Sequence, residues 1–246
     1  MTTTVIQHSE LRSAIEWYFE SKNLAIKNAL KLRCPLSSEQ QKEQRQYYSE
    51  YFVALVSATD LLCEPSYEFN VQFKEQLIEV FSFELFPNGK ENYYYIRELR
   101  NSIVHRGLDI CSAAHVCEDH HLVVAPVKVF DRNGKKSFSA FGYYLLEIIA
   151  KCEEAIGPFI AKHLQEVGLL KPLLTQDQAS EEAGKYLVEA QAVPDWVKTN
   201  ALNLISQIDF LQTQALAVEK LVSLLNLNAL IVVNDSHPII SSNAAR

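Results

Sequence analysis

Tyr93-Tyr-Tyr-Ile-Arg-Glu-Leu-Arg-Asn-Ser-Ile-Val-His-Arg-Gly107 sets Ile96, Leu99 and Ile103 at steps of three and four residues, the period of an α-helix with one buried stripe. A helix over about 90–106 follows, stopping at Gly107. At about 100° per residue, Tyr94, Glu98, Asn101 and His105 fall together opposite that stripe. Arg100 lies on a flank from which its long side chain can reach towards them. His105 sits in the last turn, where the negative end of the helix dipole favours a cation. Arginine offers a planar, permanently charged fork for a phosphate or for the crowded charge of a pentavalent phosphorane. The two are the minimal kit for metal-free RNA cleavage: histidine takes the 2′-hydroxyl proton or protonates the leaving oxygen while arginine holds the phosphate. Asn101 is placed to orient the ring or bind phosphate. On spacing alone, the same residues also suit the solvated end of an ordinary helix.

Helical spacing runs through most of the chain, which holds seven glycines in 246 residues, and long helices with short connections make a bundle. Leu11, Ile15, Tyr18, Phe19, Ile26, Ala29 and Leu30 define a first helix over about 9–33, with Ser9 as cap and Cys34-Pro35 as stop. A second opens on the capping-box pattern Ser38-Glu-Gln-Gln41 and carries Tyr48, Tyr51, Phe52, Leu55 and Leu62 to about Cys63. A third, about 66–86, uses Phe73, Leu77, Ile78, Phe81 and Leu85 and stops at Pro87-Asn-Gly89. Beyond the quoted helix the period becomes alternating. His121–Phe130, the loop Asp131-Arg-Asn-Gly134 and Lys135–Phe141 read as one β-hairpin, with Asn133-Gly134 as its turn and Pro126 confining its strand to an edge.

A fifth helix, about 142–167, carries a kink at Gly157-Pro158. Thr175 and Gln178 form the capping box of a sixth, which ends before Pro194. From Asp195 onward Val197, Ala201, Leu204, Ile208, Leu211, Ala215, Val218, Val222 and Leu225 keep a heptad seam. Leu202, Ile205, Leu221 and Leu224 widen it, which favours packing on the parent bundle over a free coiled-coil dimer. Ala229–Val233 reads as a short docking strand and Ser236–Arg246 as a loose tail. The expected architecture is mainly α: a helical bundle over about 1–170 with an inserted β-hairpin at about 121–141, then a C-terminal helical extension over about 171–246.

With 48% apolar and 22% charged residues, the composition is that of a globular chain able to bury a sizeable core. Met1–Glu10 shows no basic and apolar leader pattern, and no run reaches the ~18 apolar residues of a membrane span, so a cytoplasmic protein with no membrane partner is expected. Five cysteines, odd in number and set in apolar helical sequence, read as reduced thiols. A net charge of −7 disfavours a broad footprint on DNA and leaves room only for local nucleic-acid contact. Gly-rich phosphate loops, G-x-S-x-G and H-E-x-x-H are missing, which argues against nucleotide-driven motors and serine hydrolases.

Cys111, His115, Cys117, His120 and His121 crowd one loop and carry zinc-competent donors, but their spacing matches no familiar zinc knuckle, so an ordinary loop without metal is preferred. His163 lies on the apolar stripe of helix five and reads as a packed histidine. Lys128, Arg132, Lys135 and Lys136 gather around the hairpin, where they either extend a positive path for RNA from Arg97, Arg100 and Arg106 or form a solvated edge.

The segment Arg100-Asn101-Ser-Ile-Val-His105, after the helical Tyr-Ile-Arg-Glu-Leu, resembles the signature of the HEPN superfamily (higher eukaryotes and prokaryotes nucleotide-binding): an arginine, a polar residue, three variable residues and a histidine. HEPN domains are helical bundles that commonly pair as homodimers, bringing two motifs into one cleft. Many are metal-independent endoribonucleases of toxin–antitoxin, phage-defence and RNA-processing systems, while others are inactive scaffolds or nucleotide-binding modules. The resemblance implies Arg100 and His105 as catalytic residues, with Asn101 as the polar residue after the arginine. Tyr94, Glu98, Arg97 and Arg106 join them as RNA-binding candidates from the helical wheel and charge. It also implies a homodimer without cofactor, acting on RNA or a nucleotide, with an antitoxin or other protein as partner. Arg106-Gly107 stands where one large toxin group carries a tyrosine two residues after the histidine. The hairpin and the helices after 170 lie outside a minimal HEPN bundle.

Overall fold

The computed structural model describes residues 2–228 and Leu230, with side chains from His8 onward. Among these residues the molecule is mainly helical: eight helices with two small β-hairpins inserted before the fifth. Helices α1 (Thr2–Ala29) and α2 (Ser38–Cys63) form the most extensive pair. α1 begins ahead of Ser9 and ends before Cys34-Pro35. α2 is capped by Ser37, one residue before the expected cap: Ser37 Oγ accepts from Gln40 N (3.2 Å), and Gln40 Oε1 accepts from Ser37 N (2.9 Å). Helix α3 (Asn70–Val80) is shorter than the spacing suggests, because Phe83 and Phe86 leave the helix and bridge to each other. Helix α4 (Gly89–Arg106) ends as the sequence reading has it, with Gly107 in the left-handed region at φ 68°.

The single hairpin expected over about 121–141 is corrected to two. Strand β1 (Ala114–Cys117) pairs antiparallel with β2 (His120–Val123), and β3 (Lys128–Phe130) with β4 (Ser137–Ser139). The physical reason lies at Ala125-Pro126: proline has no N–H to give a ladder, so the apolar run breaks there and its first half folds back onto β1. The second hairpin closes through the expected Asn133-Gly134 turn, with Gly134 at φ 69°.

Helix α5 (Leu145–Glu166) is buried on most of its surface. At its centre Glu153 accepts from Lys22 of α1 (2.7 and 2.9 Å) and from the Tyr51 hydroxyl of α2 (2.7 Å), tying three helices through one enclosed ion pair. Burial pulls the Lys22 ammonium below its ordinary pKa, against the opposing pull of Glu153. His163 is packed as its position on the apolar stripe implies, its Nε2 2.9 Å from the Tyr67 hydroxyl.

Burial lowers the His163 pKa from its ordinary 6.5. The unfolded chain therefore takes up a proton that the native ring refuses, and stability falls as pH drops from about 6.5 towards the lowered value. One such group changes stability by at most about 1.4 kcal/mol per pH unit. Urea midpoints at pH 7 and pH 5 should therefore differ less in His163→Gln than in the parent; an equal difference would assign the acid limb elsewhere.

The extension comprises α6 (Gln176–Glu189), α7 (Asp195–Ile205) and α8 (Phe210–Leu225). Thr175 and Gln178 form the expected capping box. The heptad run from Asp195 is not one helix: it breaks at Ser206–Asp209, where Asp209 Oδ1 accepts from Gln212 N (2.9 Å) and Gln176 Nε2 donates to Ile208 O (2.7 Å). A side-chain cap beginning a new helix outcompetes continuation of the old one. α8 docks on the bundle through buried Leu221 and Leu225, with Lys220 bridging Glu16 (2.5 Å) and Glu20 (2.9 Å) of α1. α7 has no fully buried residue: Val197 and Ala201 of the seam are half-buried, and Leu204 and Ile208 are exposed. Of the expected strand Ala229–Val233 only Leu230 is described, and it is buried; the other four residues, and the expected tail Ser236–Arg246, lie outside the described residues.

Helix α5 runs through Gly157-Pro158, the site of the expected kink, with Pro158 inside it. What Gly157 provides is closeness: a Cβ there would sit 2.0 Å from the Leu225 carbonyl oxygen. Gly157→Ala is expected to force α8 outward and cost about 1–3 kcal/mol. Urea unfolding with proteolysis after α6 reads this; an unchanged midpoint would mean that α8 contributes little at that contact.

Candidate functional site

Helix α4 is held on three sides. Asn88 Oδ1 caps its start by accepting from Glu91 N (3.1 Å), and buried Asn92 donates to the Phe81 (2.8 Å) and Phe86 (2.7 Å) carbonyls, satisfying two backbone groups that leave α3. Tyr95, Ile96 and Leu99 are fully buried, and the Tyr95 hydroxyl donates to Pro126 O (2.7 Å). Ile103 is partly buried against the core, so the apolar stripe lies where the spacing places it.

The candidate residues fall into two groups, because five residues along a helix turn the side chain by about 140°. Arg100 points along the α2 flank and donates to Asp60 Oδ2 in a charge-assisted bond, with Arg97 Nε 4.0 Å from the other carboxylate oxygen. Burial pushes the Asp60 carboxyl above its ordinary range, opposed by the charges of Arg100 and Arg97. The Arg100 Nε is buried with no hydrogen-bond partner among the described residues.

Asn101 donates to Glu98 Oε1 (3.1 Å). Arg106 donates to Ser102 Oγ (2.6 Å), to Glu98 O (3.2 Å), and through its other terminal nitrogen to Asp131 O (3.0 Å) of the second hairpin. Tyr94 stacks on Phe138 of β4 (centroids 5.4 Å apart, planes 17° apart), and Arg97 lies over the Tyr94 ring at 5.9 Å. Tyr94, Glu98, Asn101 and Arg106 thus tie α4 to itself and to the hairpin.

His105 differs from them: it is exposed in the last turn of α4, and no described residue hydrogen-bonds to it. The Arg106 bond to Asp131 brings the hairpin loop, with exposed Arg132, Lys135 and Lys136, against that end of the helix. Within one chain no hydrogen bond or ion pair joins Arg100 to His105 among the described residues. The chemistry available is an exposed imidazole beside a basic loop, with a guanidinium on the neighbouring flank held by a carboxylate.

Asp60 is the site residue that sequence reading missed. Its signal was an acid within the buried run Ala58-Thr-Asp-Leu-Leu62, where an ionised group needs a partner; nothing local named Arg100, 40 residues away, as that partner. In the Cys/His loop the side chains go to separate places. His115 Nδ1 lies 3.0 Å from the Tyr144 hydroxyl, His121 Nδ1 2.6 Å from Gln44 Oε1, and His120 Nε2 3.1 Å from Asp119. Burial pushes the Cys111 thiol up to about 12. Among the described residues no three of these donors gather as metal ligands, and no helix is long and apolar enough to cross a membrane. Compared with family models, with curated proteins and with solved structures, the chain matches none of them.

Proposed function

We propose that this protein is a metal-independent endoribonuclease of HEPN type, serving defence, toxin–antitoxin control or stress response. The observation that carries the reading is the exposed His105, without a hydrogen-bond partner among the described residues, at a helix end flanked by a basic loop. In the proposed mechanism His105 takes the 2′-hydroxyl proton, the 2′-oxygen bonds to the adjacent phosphorus, and the bond from phosphorus to the 5′-oxygen breaks as the imidazolium passes that proton to the leaving oxygen. The products are a 2′,3′-cyclic phosphate and a 5′-hydroxyl. Arg100 stabilises the charge on the phosphorane. Since Arg100 and His105 diverge around α4, the reading requires a homodimer in which isologous packing of α4 sets the histidine of one copy near the arginine of the other.

One observation favours a second reading, a catalytically silent dimeric module that binds a nucleotide or protein partner: Asp60 already pairs with the charge of Arg100 through one terminal nitrogen, and a neutralised arginine holds phosphate weakly. A mixed RNA pool incubated in EDTA with the protein separates the two. Cleavage leaving 2′,3′-cyclic phosphate ends supports the nuclease; intact RNA with retained nucleotide binding supports the silent module.

A further inference from the structure

A cavity of about 790 Å³ lies away from α4, between the end of α1, the first turns of α2, strand β2, the Leu85-Phe86 loop and the start of α5. Its wall is mostly carbon, with aromatic surface from Tyr48, Phe86 and Tyr143. The size and character are those of pockets that enclose a small organic ligand.

Polar groups are few on this wall, and two of them, Gln44 and His121, bond to each other. Gln44, 2% exposed, lines the cavity one helical turn from Tyr48. Its Oε1 lies 2.6 Å from His121 Nδ1. Because the amide oxygen only accepts, Nδ1 carries the proton of that bond, and in the neutral ring Nε2 keeps its lone pair. The Gln44 amide keeps its N–H groups, for which no described residue serves as acceptor. The wall therefore carries a hydrogen-bonded amide–imidazole pair set among mostly apolar groups. Charge is scarce: Lys151 rests over the Phe86 ring at 5.7 Å, and Glu147 caps α5 by accepting from Tyr143 N (2.7 Å). With Glu154 also on the rim, a polyanion such as a nucleotide is disfavoured.

We propose that this cavity is a binding site for a small, uncharged, largely apolar molecule whose single hydroxyl or amide head accepts from Gln44 and donates to His121. The site is independent of the ribonuclease reading.

The test uses the full chain and three probes of equal ring size: 1-naphthol, naphthalene and 1-naphthoate, with binding followed by probe fluorescence. Naphthol is expected to bind saturably and about tenfold tighter than naphthalene, the worth of the added hydrogen bonding, with naphthoate weakest. Gln44→Leu should erase the naphthol preference while naphthalene still binds. Ala150→Trp, which fills the cavity from α5, should abolish binding of both. Absence of saturable naphthol binding, tightest binding of naphthoate, or an unchanged naphthol preference in Gln44→Leu would each overturn the proposal. So would undiminished binding in folded Ala150→Trp, which would place the probe on the exposed apolar face of α7 instead.

Discussion

Replacing His105 by alanine is expected to lower RNA cleavage by about 10²–10⁴-fold, the usual worth of a positioned general acid or base. The thermal midpoint should move by less than about 1 °C, because an exposed surface side chain that bonds to none of the described residues contributes little to folding. That separation is what makes the test sharp. Arg100→Ala should also lose cleavage, but it leaves the half-buried Asp60 carboxylate without the guanidinium it bonds, so a cost in stability of about 1–3 kcal/mol accompanies the lost activity. Cleavage rates in EDTA, measured beside thermal midpoints and dimer mass for parent and both variants, read the two effects apart. Parental cleavage by a folded His105→Ala protein would remove the histidine from the mechanism, whatever Arg100→Ala does.

The largest expected effect on stability belongs to Lys22. It is 2% exposed, and its ammonium faces both carboxylate oxygens of Glu153, itself 5% exposed. Lys22→Met removes the cation that balances a buried carboxylate while keeping the length of the side chain, and should cost about 3–5 kcal/mol. Desolvating a charge pair consumes most of its mutual attraction, so replacing both partners with apolar residues is far milder. The double variant Lys22→Met/Glu153→Leu should regain most of the loss, less a contribution for the Tyr51 hydroxyl that then lacks its acceptor. Urea unfolding of the two single variants and the double variant forms a cycle whose coupling term measures the pair directly. A Lys22→Met variant within about 1 kcal/mol of the parent would show that water reaches Glu153.

Much of the secondary structure was legible because it is local. The α4 stripe of Ile96 and Leu99, the Thr175/Gln178 capping box, the Asn133-Gly134 turn and the Gly107 stop each involve residues within about four positions of one another, and side-chain period and turn chemistry report at that range. The same locality explains the one-residue error at the α2 cap, where Ser37 and Ser38 offer equivalent hydroxyls and only the entry of the chain selects between them.

What the sequence by itself determined, then, is a mainly helical chain with an arginine and a histidine on one amphipathic helix, since hydrophobic period and helix stops are written along the chain. Only the tertiary structure decided that His120–Val123 pairs backward with β1, that Gln176 meets the Ile208 carbonyl where the heptad run breaks, and that Lys22 meets Glu153 across 131 residues. It also decided that Asp60 holds Arg100 while His105 stays exposed. Each of these depends on which groups packing brings within a few ångströms of one another, and a buried charge, carbonyl or amide takes whatever partner the assembled core presents.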